Sequence, residues 1–271
     1  MLESLAMFAA PWCAIMGVIY LTPIASYLNA SSFVISFFVS AIMLLQFLVV
    51  KRSSYTNVRT TQELHVRRKI QHAGTGVLIV IATFYGSSIE ATVVLAICAL
   101  IFYGVSVARR QFKAVDTVYL QIFGPILRQH EVGHRLPGAF FFLTGSALSF
   151  VFYPKFIAQL SVLHLSLGDP CASFFGITLG HTTSKLWNGK TLAGVIGCFF
   201  VCLLSSIAFL SFVVHHDIAH LSWLKQVLIM GTSGIAGAIG EVLNVGCDDN
   251  LSMPIISGLF ITIFYYGVQA L

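Results

Sequence analysis

TLAGVIGCFFVCLLSSIAFLSFVV, residues 191–214, contains no charged side chain from end to end. A helix rising about 1.5 Å per residue needs roughly 20 apolar positions to cross the hydrocarbon core of a bilayer, and this stretch meets that length. Eight further apolar runs repeat the pattern, at 6–28, 31–50, 70–87, 89–107, 138–153, 156–176, 223–243 and 253–270. The expected fold is all-α: a polytopic transmembrane helical bundle of about nine spans. The run at 138–153 is short. The run at 156–176 contains Gly168-Asp169-Pro170, and because Pro170 has no N–H, an interrupted helix is expected there, which at membrane depth requires surrounding protein or a wet cavity.

Composition agrees. Of 271 residues, 57% are apolar and only 9% charged, against roughly 45–50% and about 25% in soluble domains, and the mean hydropathy is +0.89. The formal net charge of +5 does not point to nucleic acid, because the basic residues sit at the ends of apolar runs and not on a basic face interleaved with aromatics. The six cysteines are scattered without a Cys-x-x-Cys pair, so neither a disulfide framework nor a zinc site is implied. No basic segment precedes the first apolar run, which reads as a retained span. The longest polar stretches are 51–69 and 108–137, too short for a soluble domain, so chemistry must occur at the membrane surface. The chain divides into an N-terminal transmembrane hairpin, 1–50, and a catalytic transmembrane region, 51–271.

Orientation follows from the basic residues, which are retained on the cytoplasmic side of short loops. Lys51, Arg52, Arg59, Arg67, Arg68 and Lys69 precede the third span, Arg109, Arg110, Lys113, Arg128 and Arg135 precede the fifth, and Lys185 and Lys190 precede the seventh. Only Lys155 and Lys225 fall on the other face, which places the N-terminus inside. The stripe Gly231, Gly234, Gly237 and Gly240 would let the eighth span pack closely on a neighbour.

Ten acids occur in the chain, and Asp169, Glu241, Asp248 and Asp249 lie within spans or at their cytoplasmic ends. An Asp near a span centre costs roughly 2.5–3.5 kcal/mol, so such groups normally pair with cations, line a polar cavity or hold a metal. After Asp169, small residues recur at Ala172, Gly176 and Gly180, one helical turn apart. They form a smooth groove that either packs a helix or admits a nucleotide beside a Mg²⁺-binding carboxylate. Lys185, Asn188, Gly189, Lys190, Thr191 and Gly194 follow, bringing two cations and a helix start, both suited to phosphate. Gly189-Lys190-Thr191 is not a P-loop, because Ser184 stands where its first glycine belongs and no strand precedes it. His215, His216, Asp217 and His220 lie on the opposite face and lack a ligand framework. Arg67-Arg68-Lys69, with Gln71 and His72, is either topology-setting charge or a phosphate clamp.

These residues together resemble the family of CTP-using polyprenol, phytol and diacylglycerol kinases, which shares its carboxy-terminal motif with phosphatidate cytidylyltransferases. The motif is met by Asp169, Ala172, Gly176, Gly180, Lys185 and Lys190-Thr191-Leu192-Ala193-Gly194. Arg68-Lys69-x-x-His72 resembles the opening of the family's catalytic region, and the ending Cys247-Asp248-Asp249-Asn250-Leu251-Ser252-Met253-Pro254 is most similar to the fungal-type diacylglycerol kinases. The similarity covers roughly 66–265. It implies transfer of the γ-phosphoryl group of CTP to diacylglycerol, with Mg²⁺, at the cytosolic face of the endoplasmic reticulum membrane. Asp169, Asp248 and Asp249 are the implied metal residues. Arg68, Lys69 and Lys190 would neutralise phosphate, Gly176, Gly180, Lys185, Asn188, Thr191, Gly194 and His72 would form the nucleotide site, and Glu241 would orient the lipid hydroxyl. Polyprenol or phytol kinase and phosphatidate cytidylyltransferase are the neighbouring alternatives. A transporter is the alternative of another class, disfavoured by the lack of a visible inverted repeat.

Overall fold

The computed structural model describes residues 61–124, 127–133, 135–213, 215–243 and 245–271. The expected spans at 6–28 and 31–50, and with them the 1–50 hairpin, lie outside the described residues. Ten helices follow one another: α1 Thr61–Thr83, α2 Ser88–Gln111, α3 Lys113–Phe123, α4 Gln129–Val132, α5 Gly138–Phe152, α6 Lys155–Thr178, α7 from Leu192 to Val213, α8 His215–Ile218, α9 Trp223–Val242 and α10 Asp249–Ala270. The described residues are helical throughout apart from loops and one isolated antiparallel bridge, Lys185 with Thr191. Each of the seven apolar runs from residue 70 onward lies on one of the long helices. Among the described residues, four helices are long and apolar enough to cross a membrane: Ser88–Gln111, Lys155–Thr178, Leu192–Ser211 and Asp249–Ala270. α5, with 15 residues, rises only about 22 Å.

α6 is the central helix. Ile157, Ala158, Leu160, Val162 and Leu165 are fully enclosed, and α1, α5, α7 and α10 surround it. With no water in a bilayer core, core hydroxyls turn back onto their own helix. Ser149 donates to Gly145 O, Ser206 to Cys202 O and Ser233 to Ile229 O. His164 ties three helices together, its Nδ1 lying 2.7 Å from Ser257 Oγ of α10 and its Nε2 2.9 Å from Ser206 Oγ of α7.

The expected interruption at Gly168-Asp169-Pro170 takes another form. α6 runs on through the proline, and the change of register occurs just before it, in a π-helical turn at His164–Gly168. In a π turn the carbonyl of residue i accepts from i+5, so Leu165 O would look to Pro170, which has no N–H. His72 of α1 supplies that donor, its Nε2 lying 3.2 Å from Leu165 O. Of the glycine stripe on α9, Gly234 and Gly237 face α7: a Cβ would stand 2.8 Å from Leu203 Cα at the first and 2.5 Å from Cys202 Sγ at the second. Gly240 faces Met253 O of α10 at 3.0 Å, whereas Gly231 meets open space and does not belong to the packing stripe.

Candidate active site

α1 and α6 are brought together where α1 enters the bundle, and the first consequence is an ion pair. Lys69 Nζ lies 2.7 Å from Asp169 Oδ1 and 2.6 Å from Oδ2, so one ammonium covers both oxygens of the buried carboxylate. His72 Nε2 stands 3.7 Å from Asp169 Oδ2, and its ring meets the Phe142 ring edge-on at 4.8 Å. Arg68 joins this group. Burial lowers its guanidinium from the ordinary value and Arg128 pushes the same way, while Asp169, Glu131 and Asp248 act against them.

A second cluster forms around Lys190. The loop between α6 and α7 folds back on itself as a short hairpin, with Leu186 N donating to Lys190 O at 2.7 Å and Leu192 N to Ser184 O at 3.0 Å. Gly189 makes the turn at φ +83°, a conformation other residues resist. Asn188 anchors the hairpin to the end of α9 by donating from Nδ2 to Val242 O at 2.8 Å. Lys190 Nζ is thereby held 2.9 Å from Glu241 Oε1, 2.6 Å from Glu241 O and 3.1 Å from Asp249 Oδ2. Burial alone would lower the Lys190 pKa, but Glu241 and Asp249 outweigh it and hold it above its usual value.

Asp248 and Asp249, adjacent in sequence, connect the two clusters. Asp249 turns to Lys190, while Asp248 Oδ2 takes Arg128 Nη1 at 3.0 Å and its Oδ1 caps α10 by accepting from Asn250 N, also at 3.0 Å. Glu131, buried, accepts from Arg128 N and Gly138 N at 2.7 Å each and so fixes the loop that carries Arg128. Arg109 holds the same region from behind. It bonds Asp116 at 2.8 Å and lies 4.0 Å from the centre of the Tyr119 ring.

Among the expected residues, Arg68, Lys69, His72 and Asp169 come together, as do Lys190, Glu241 and Asp249, with Asp248 between. The small-residue groove after Asp169 is filled by the start of α7. A Cβ on Gly176 would stand 3.2 Å from Thr191 Oγ1, one on Gly180 2.8 Å from Thr191 Cγ2, and one on Gly194 2.7 Å from Ala172 O. Thr191 itself caps α7 by accepting from Gly194 N at 3.2 Å. Lys185 is exposed and stands apart from both clusters in side-chain contact. Sequence reasoning missed Glu131, took Asn250 only as part of the family-type ending without a role, and took Arg128 only as a topology charge. Glu131 was detectable as one of ten acids, but its partners belong to a loop no periodicity describes.

Among the described residues, no three His, Cys, Asp or Glu side chains share a coordination sphere. A triphosphate-borne Mg²⁺ needs only one or two protein carboxylates, phosphate and water completing its shell. Asp248 and Asp249 are adjacent carboxylates, each paired with one cation and the second 38% exposed, and fit that lesser role.

The class this defines is an integral membrane protein, a bundle of apolar helices with paired carboxylates and cations gathered at one end. Sequence comparison gives the family. The chain is 31% identical over 156 residues to the CTP-dependent diacylglycerol kinase 1 of Schizosaccharomyces pombe, covering 56% of this chain and 70% of that one. It is 30% identical over 168 residues to that of Eremothecium gossypii, covering 57% and 52%, and 25% identical over 210 residues to that of Saccharomyces cerevisiae, covering 72% and 71%. The chain belongs to the CTP-dependent diacylglycerol kinase family. It spans about half the length of the Eremothecium relative. No family model and no solved structure matches it.

Proposed function

We propose that this chain transfers the γ-phosphoryl group of CTP to the hydroxyl of diacylglycerol, giving phosphatidate and CDP. The observation that carries this reading is the meeting of Arg68, Lys69 and Asp169 with Arg128 and Asp248 at one mouth, with Lys190 bound to Asp249 beside them. Phosphoryl transfer depends mainly on positioning and on neutralising charge over the transferred group. Lys69, Arg68 and Lys190 are the cations for the triphosphate; Lys69 and Lys190 are now held by protein acceptors that phosphate oxygens would replace, and Arg68 lines the same mouth. Asp169, Asp248 and Asp249 are the carboxylates that would hold a nucleotide-borne Mg²⁺, which would add positive charge against the phosphates. The lipid hydroxyl oxygen attacks the γ-phosphorus, the bond to the β-phosphate oxygen breaks, and the hydroxyl proton passes to a carboxylate. Glu241 Oε2, which has no donor of its own, is the candidate acceptor.

Nine spans with the N-terminus inside, and a site facing the cytosol from the endoplasmic reticulum membrane, complete the proposal. Lys155 and Lys225 support this orientation. Lys155 Nζ bonds Gly86 O at 2.8 Å and Lys225 Nζ bonds Gln269 O at 3.0 Å, each at the end of its helix remote from the ion-paired mouth.

The test is purified protein in mixed micelles with diacylglycerol, a polyprenol, phytol or phosphatidate, and CTP labelled in either the α or the γ position. γ-label entering diacylglycerol is the expected result. α-label entering phosphatidate would make the chain a cytidylyltransferase, and label confined to polyprenol or phytol would reassign the acceptor.

A further inference from the structure

A chamber of about 180 Å³ opens from the Asp169 mouth between α1, α2, α3 and α5. Its walls are Ile79, Leu95, Cys98, Phe102, Phe123 and Phe142, and Arg68, Lys69, Arg128, Asp169 and Asn250 line it as well. Along α1 it extends from Arg68 to Ile79, about 16 Å at 1.5 Å per residue. Arg68 and Lys69 of α1 and Gly138 at the start of α5 stand at the polar mouth, so the chamber passes from charged to apolar along the helices, the polarity profile of a lipid standing in its leaflet. A nucleotide base and triphosphate have no use for a phenylalanine- and leucine-lined depth.

We infer that this chamber is the acceptor-lipid site, taking the glyceryl head of a diacylglycerol at its mouth and the first methylenes of an acyl chain along α2 and α5. This rests on the function proposed above. Size limits what enters. An apolar cavity of about 150 Å³ holds one benzene ring, so about 180 Å³ accommodates the glyceryl group and a few methylenes, and the remaining chain lies in the bilayer. The site is therefore strict about the head and tolerant of the tail. Strictness has a specific source. Asn250 Nδ2 donates to Gly138 O at 3.2 Å, which fixes the amide orientation, and its Oδ1 is left buried without a donor. A free lipid hydroxyl supplies that donor in the bound state that precedes transfer of its proton. A triacylglycerol has no donor to offer there, leaving the buried acceptor unpaired and the fit disfavoured.

A diacylglycerol bearing a diazirine near the carboxyl end of one acyl chain, photolysed with the wild-type protein, should crosslink to peptides of α2 and α5. In steady-state assays Cys98→Trp, which fills the chamber, should raise the KM for diacylglycerol at least several-fold and leave the KM for CTP unchanged. Asn250→Ala should raise the lipid KM about tenfold, the equivalent of one lost hydrogen bond. Leu100→Trp, two residues along the same helix and 66% exposed on its outer face, is the control with no change. Crosslinks on other helices of a protein that does phosphorylate diacylglycerol would overturn the site and leave the function standing. A protein that transfers label to no lipid alcohol would overturn the function, while the crosslinks still report whether the chamber takes the lipid. If Cys98→Trp fails to fold, the wild-type crosslinks decide alone.

Discussion

Asp169 sits on a long apolar helix, and Lys69 is what makes its charge tolerable there. Removing one partner of such a buried pair typically costs about 3–5 kcal/mol, because the other charge stays buried and alone, whereas replacing both with apolar residues of similar volume is often close to neutral. Lys69→Met is therefore expected to lower the thermal unfolding midpoint in detergent clearly. The double variant Lys69→Met with Asp169→Leu should recover most of that loss and still transfer no phosphoryl group. A double variant that regained activity would show that the pair only supports the fold. Gly194 gives a prediction of packing instead of charge. A methyl there would press on the Ala172 carbonyl at 2.7 Å, and overpacking of this kind costs about 1–3 kcal/mol, so Gly194→Ala should destabilise the protein in the same unfolding assay. At this scale the sequence was most readable where residues are scarce: Arg68, Lys69, Asp169 and Lys190 are conspicuous because charge in an apolar chain is expensive. Asn250 was legible as a motif residue but not as an unpaired acceptor, since an unpaired amide oxygen is a property of its surroundings.

The elements show how a register change serves the site. Pro170 and the π turn leave Leu165 O without a backbone donor, and His72 fills the gap, pinning α1 to α6 where Lys69 must meet Asp169. Restoring an N–H with Pro170→Ala is expected to let the turn relax toward α-helical register and rotate Asp169 away from Lys69. Helix content by circular dichroism should hold while phosphoryl transfer falls by at least tenfold; unchanged transfer would remove the turn from the mechanism. The Lys190 hairpin offers the second case. Gly189→Ala must adopt φ +83° with a Cβ, a cost of roughly 1–2 kcal/mol. Expected is a higher KM for CTP together with a modest fall in unfolding temperature, since the strain falls on the loop that positions Lys190. Apolar run length revealed each of the seven long helices. It could not reveal α3, α4 or the hairpin, whose shapes come from Arg109, Glu131 and Asn188 bonding across to other elements.

For the whole molecule, the asymmetry of charge is the main observable. The exposed Cys247 lies beside the ion-paired mouth, whereas Trp223, 76% exposed, begins α9 at the opposite end. In sealed vesicles oriented cytosol outward, a membrane-impermeant maleimide is expected to label Cys247, and Trp223→Cys should react only once the vesicles are permeabilised. Labelling of both from outside would contradict the proposed orientation. The same asymmetry explains how thirteen of fifteen basic residues could be assigned to one face from the sequence: loop charge is topogenic however the helices later pack.

The amino-acid sequence alone determined the solvent, the helical class and the residues too costly to be incidental, because burial in lipid constrains composition and spacing directly. Tertiary structure decided which cation meets which carboxylate, that the small-residue groove is filled by Thr191, and that an apolar chamber opens beside Asp169. Pairings and cavities arise between helices distant along the chain, and no local pattern records the distance between them.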